Sequence, residues 1–141
     1  MSNETKDGNK LIKNKRILEI KKDSFSQDAI VFTDIKSKSV ILKDNGKNIL
    51  RFNFDGFKYL GIWSAEGNAP FVCIEPWYDP PDYIDSNQKF EDKKDIIELE
   101  PNKTFTVTYS VEFIDESSGS NYLLNNSNSP LIIIFLLLFL F

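Results

Sequence analysis

The chain contains no histidine and one cysteine, Cys73, in 141 residues. The first absence means that any reaction needing a histidine acid or base cannot be completed by this polypeptide's own side chains. The second excludes an internal disulfide and fits a reducing compartment, a cytoplasmic location being the expectation. Arginine is almost as scarce, with Arg16 and Arg51 alone. The lysines from Lys10 to Lys22 are interspersed with apolar residues and Glu19, so no basic nucleic-acid surface is expected. Long apolar runs are missing until the very end. The N-terminus, Met1 to Lys10, is polar and has no apolar core of a secretory signal. Residues Leu131 to Phe141 are wholly apolar. At about 1.5 Å per helical residue they fall well short of the ~30 Å of a bilayer core. No membrane association is expected apart from this short tail. A truncated anchor and a peripheral sticky end are two readings of it. A third, an end of the reading frame unrelated to the domain, is favoured because the tail follows what reads as a finished domain.

What is present is ordinary for one globular domain: 41% hydrophobic residues, 27% charged, and a net charge of −4. Residues 1–16 read as a disordered lead-in, 17–114 as the folded body, 115–130 as a Ser/Asn-rich linker and 131–141 as the apolar tail. Within the body, short apolar runs alternate with turn signals. Ala29 to Thr33, Ser39 to Leu42, Ile49 to Phe54, Tyr59 to Trp63 and Phe71 to Glu75 each read as a strand. Asp44-Asn45-Gly46 is a hairpin signal, because Asn and Gly tolerate the positive φ of a tight primed turn. Asp95 to Leu99 is short and apolar. In the last strand, Phe105, Val107, Tyr109, Val111 and Phe113 are apolar at period two and polar residues fill the other face. The fold class is all-β: antiparallel strands in part of a β-sandwich.

One carboxylate stands out. Glu75 ends the run Phe71-Val72-Cys73-Ile74, and a buried carboxylate is costly unless paired or used. Pro76, Trp77 and Tyr78 follow, expected to stop the strand and to wall the acid with aromatic faces. Trp77 is read as a pocket wall, Trp63 and Tyr78 as packing, and Cys73 as an inert small hydrophobe. Asp28 is read evenly as an acceptor for a ligand hydroxyl or as a turn residue. Arg51 is expected to be solvated. Asp79, Asp82 and Asp85 lack the glycine and terminal glutamate of a calcium loop, so no metal site is expected.

From about Ile17 to Ile114, the chain resembles the C-terminal part of the aldose 1-epimerase (galactose mutarotase) family, in its LacX-like subgroup. The resemblance is carried by Asp28-Ala29-Ile30-Val31-Phe32, Ser37-Lys38-Ser39-Val40, Tyr59-Leu60-Gly61-Ile62-Trp63-Ser64 and Phe71 to Tyr78. Asp85-Ser86-Asn87, Phe90-Glu91-Asp92-Lys93 and Leu99-Glu100-Pro101 continue it in order. It implies a β-supersandwich and interconversion of the α and β anomers of an aldose, a hexose such as glucose or galactose, without metal or cofactor. It implies that Glu75 is the general base, with Asp28 and Trp77 as candidate sugar-binding residues. Family members are about twice as long, and their N-terminal half carries the acid histidine and a sugar-holding arginine. This chain is therefore read as a truncated form with impaired activity. A non-catalytic carbohydrate-binding β-sandwich is the alternative. Where the subgroup has a glycine after Trp77-Tyr78, this chain has Asp79-Pro80-Pro81-Asp82.

Overall fold

The computed structural model describes residues 6–12, 16–67, 69–115 and 133–135. These residues form two sheets. The strands are β1 (Lys6–Asp7), β2 (Ile30–Thr33), β3 (Ser39–Asp44), β4 (Lys47–Asn53), β5 (Tyr59–Trp63), β6 (Phe71–Trp77), β7 (Ser110–Phe113) and β8 (Ile133–Phe135). One short helix, α1 (Gly8–Ile12), follows β1. The larger sheet has the order β1-β2-β5-β6-β8 and the smaller β3-β4-β7. All neighbours are antiparallel except the two outermost pairs of the larger sheet, β1 with β2 and β6 with β8. The architecture is all-β, a partial β-sandwich.

Period-two alternation decides which side chains meet between the sheets. Ile30 and Phe32 of β2, Leu60 and Ile62 of β5, and Val72 and Ile74 of β6 form one buried cluster with Leu50 and Phe52 of β4 and with Phe54 and Phe57. Val40, Leu42, Val107, Tyr109 and Val111 pack against it from the smaller sheet's side. The opposite face of the larger sheet is not bare. Val31, Tyr59 and Trp77 are buried there as a second cluster. Strands apolar on both faces read as the nearly unbroken hydrophobic runs seen in β2, β5 and β6.

The hairpin signal is borne out. Asn45 and Gly46 both have positive φ, 47° and 83°, and join β3 to β4 as a two-residue primed turn. Strand boundaries shift by one to several residues from the sequence reading, and two of the shifts are instructive. Pro76 does not stop β6, which continues to Trp77, with Pro76 opposite Leu60. Among the described residues β8 pairs with Phe71–Cys73 and none pairs with Pro76 on that side of β6, the kind of position where a sheet tolerates proline. The last strand is shorter than its alternation implies. Only Ser110–Phe113 forms a ladder, against Leu50–Asn53. Residues 104–109 would need partners beyond Asn53, but the chain turns away at Phe54, whose carbonyl accepts from the Phe57 N–H. Asp95 to Leu99 forms no strand, and Leu99 is half exposed.

Part of the segment read as a lead-in carries structure: β1 pairs with β2, and Gly8 lies so close to Phe32 that a Cβ there would come within 2.6 Å of its ring. In the apolar tail, Ile133–Phe135 runs parallel to Phe71–Cys73. The linker from 116 onward and the rest of the tail lie outside the described residues. Among the described residues no helix is long and apolar enough to cross a membrane.

Candidate functional site

Because Val72 and Ile74 face the core, Cys73, Glu75 and Trp77 point to the other face of β6. The register then sets their neighbours. Gly61 lies opposite Glu75, and Val31 lies opposite Gly61, so Val31, Gly61 and Glu75 form one row across three strands. In the next row, Thr33, Tyr59 and Trp77 are aligned. The Trp77 ring leans over Gly61: a Cβ on that glycine would lie 2.7 Å from the indole carbon Cζ2. Trp77 occupies space that any other residue at position 61 would claim.

Glu75 is 6% exposed. Burial raises its pKa above the usual carboxylate range; the Trp77 indole N–H acts in the opposite direction, and the charge of Asp28 adds to the rise. Among the described residues no lysine or arginine forms an ion pair with it. The indole nitrogen itself is buried and meets no acceptor at proper hydrogen-bond geometry, so its effect on Glu75 comes through a long or bent approach.

Asp28 sits just before β2 with φ at 71°, a left-handed backbone that Asp tolerates better than most residues. Its Oδ1 accepts from the N–H of Ala29 at 2.8 Å, and the residue is exposed. The turn-residue reading of Asp28 therefore describes its local role, while its charge reaches Glu75. Trp63 packs against the main core and lies 6.0 Å from the Phe71 ring, between centroids. Tyr78 packs between Phe57 and Phe105. Cys73 is buried and burial pushes its thiol pKa up, which makes it a poor nucleophile. Arg51 reaches Glu112 across the β4–β7 ladder at 3.5 Å, an exposed pair of small energetic weight. Asp79 and Asp82 both face Lys93, at 2.5 and 4.0 Å.

Two clefts lie elsewhere. One runs along the loop after β6, between Pro80, Tyr83 and Lys94; the other is lined by Asp34, Phe57, Lys58, Tyr59 and Asp95. Asp28, Glu75 and Trp77 line neither. Sequence reasoning missed Gly61 and the group around Asp95. A glycine inside a strand is the signal for the first, since it marks a close approach of other atoms to the backbone. Nothing in the local sequence marks the second.

Asp95 ties the long loop between β6 and β7 to the edge of β5. Lys58 Nζ lies 2.6 Å from Asp95 Oδ1, and the Tyr59 hydroxyl donates to Oδ2. The Lys58 and then the Tyr59 hydrogen bonds hold the Asp95 carboxyl below its usual pKa range, while burial first and Asp95 second keep the Tyr59 phenol protonated. A depressed carboxyl stabilises the fold above its unfolded-state pKa, and that contribution is lost as pH falls through the folded-state value. Asp95→Asn is therefore expected to cost about 1–2 kcal/mol at neutral pH and to flatten the acid limb of stability. Urea melts of both proteins at neutral and strongly acidic pH check this; equal stability at neutral pH would show that the tie is idle.

No family model matches the chain, and no solved structure matches it. Two curated relatives do, the chromosomal and the plasmid forms of Protein LacX from Lactococcus lactis subsp. lactis. Each is 31% identical over 106 residues, 74% of this chain, and the match spans 35% of the relative. The chain thus corresponds to about a third of the length of these relatives. By this similarity the chain belongs to the LacX-like group of the mutarotase-like family and corresponds to its C-terminal part.

Proposed function

We propose that this chain carries the proton-accepting part of a site that interconverts the α and β anomers of an aldose, a hexose such as glucose or galactose, with Glu75 as general base. The observation that supports this most is the burial of Glu75, at 6% exposure, with its pKa raised beside an indole ring. A base works best when its pKa is near the operating pH, and burial moves a carboxyl in that direction. Glu75 would take the proton of the C1 hydroxyl while the ring oxygen receives one from an acid. The C1–O5 bond breaks, the aldehyde turns about C1–C2, and closure returns both protons. Asp28 would accept from a sugar hydroxyl and Trp77 would face the apolar side of the pyranose. No cofactor enters this chemistry. A cytoplasmic setting is part of the same proposal, and a single cysteine fits a reducing compartment.

The acid cannot be a histidine of this chain, which has none. Polarimetry on fresh α-glucose or α-galactose is therefore expected to show the chain alone at the buffer rate, an impaired activity. Imidazole supplied as an external acid is expected to add a rate that Glu75→Gln lacks, over imidazole's own catalysis. Equal rates for the two proteins in imidazole would overturn the base assignment.

The missing histidine also favours a second reading, a carbohydrate-binding sandwich without catalysis. Calorimetric titration with millimolar aldoses separates the two. Binding retained in Glu75→Gln, with no Glu75-dependent anomer exchange, supports the binding module. Absence of binding to every aldose removes it.

A further inference from the structure

Trp77 is 8% exposed and its indole nitrogen has no acceptor at hydrogen-bond geometry. A buried indole N–H without a partner is unusual and costs free energy. The position of that ring is not free. It lies over Gly61, and Gly61 is the residue paired with Glu75 across the β5–β6 ladder. Glu75 and Trp77 are two apart on one strand face, so both side chains rise from the same side of the sheet. The glycine therefore lets the indole fold back along its own strand towards the carboxylate instead of standing upright.

We propose that the Trp77 N–H is a positioning donor for the Glu75 carboxylate, tightening onto it when Glu75 ionises, and that Gly61 is the residue that makes room for this. A charge-assisted bond from a fixed ring anchors one carboxylate oxygen and leaves the other to accept a proton. It also offsets part of the desolvation of the ionised form, so the base can be buried and still ionise. The inference rests on the proposed role of Glu75 only for its catalytic consequence. The pairing itself is a property of the chain. Trp77 thus gains a role beyond a wall for a sugar ring. Gly61 gains one that no polar group at that position could fill, since its contribution is the absence of a Cβ. Backbone conformation is not the obstacle at Gly61, because its φ lies outside the left-handed region. An alanine there tests the space alone.

The test is a pH titration of the full chain by NMR, following the indole 1H–15N resonances together with the Glu75 side-chain carboxyl carbon. The Trp77 indole resonance is expected to move with the same midpoint as Glu75, while the Trp63 indole, packed on the main core, does not follow. Trp77→Phe is expected to raise the Glu75 midpoint by about one to two units, the size of one hydrogen bond to a charged group. Gly61→Ala is expected to raise it in the same direction with the indole still present, and Trp63→Phe to leave it unchanged. A Trp77 indole resonance that stays flat while Glu75 titrates overturns the pairing, as does an unmoved midpoint in Trp77→Phe. If that variant does not fold, the wild-type titration alone decides. These outcomes separate from those of the polarimetry. A flat indole with Glu75-dependent anomer exchange removes the pairing and keeps the base; a coupled titration without that exchange does the reverse.

Discussion

Replacing Phe52 with alanine is expected to cost about 3–5 kcal/mol and to leave the chain largely unfolded at ambient temperature. Phe52 has no exposed surface. It sits in the middle of β4, opposite Val40 on β3 and Val111 on β7, and its ring lies 6.2 Å from Phe54 and 5.7 Å from Tyr109, between centroids. The cavity left by truncation would be lined by residues of both sheets, each held in its own ladder, so collapse around it is restricted. A single domain has only about 5–15 kcal/mol in total. Losing several of those here removes the contact that makes two small sheets one folding unit. Urea unfolding followed by near-ultraviolet circular dichroism measures it. The control is Phe113→Ala, on the same smaller sheet but 80% exposed, expected to stay within about 0.5 kcal/mol of the parent. A Phe52→Ala protein less than about 1 kcal/mol weaker than the parent would mean that the sheets do not share this core.

The same alternation that places Phe52 inside made most of the fold legible. Leu50, Phe52 and Phe54 are spaced by two and are all buried, as the pattern of apolar and polar residues requires. Asn45-Gly46 fixes the register of β3 on β4 through its turn type. Errors arose where a strand's length depends on its neighbour. The sequence of residues 104–113 alternates without a break, yet a ladder exists only while β4 runs beside it. Val107, Tyr109 and Val111 still pack on the core, but Phe105 and Phe113 on the same face are exposed, so the pattern predicted burial correctly for the middle of the run, missed it at the ends, and predicted pairing incorrectly. The short pairings of β1 and β8 are tertiary choices with no local signature. The buried position of Glu75 was legible because a carboxylate closing an apolar run is conspicuous. The relation of Trp77 to Gly61 was not, since it follows from a cross-strand register that no spacing along the chain encodes. The tie from Lys58 and Tyr59 to Asp95 has the same cause: its partners are 37 and 36 residues apart.

Glu75→Gln is expected to push stability and activity in opposite directions, and the signs follow from the raised pKa. Below the ordinary carboxylate range Glu75 is protonated in both folded and unfolded chains, and its burial carries no ionic cost. As pH rises, the unfolded chain releases the proton first and the folded chain retains it. The folded state then binds more protons, so stability falls across the window between the ordinary and the raised pKa and stays lower above it. Glutamine has nearly the same shape and cannot ionise. The variant should therefore lack this slope and be more stable than the parent at neutral pH. In an assembly that exchanges anomers, the same change removes the proton acceptor and should lower the rate by about 10²–10⁴-fold. A carboxylate retained only for structure would behave otherwise: its removal would weaken the fold at neutral pH and leave anomer exchange alone. Denaturant melts across pH, paired with polarimetry in imidazole, read both signs on one protein pair. A variant that is less stable at neutral pH would mean that Glu75 is held by attractive partners rather than maintained against a desolvation cost, and the argument from burial to a base would fail with it.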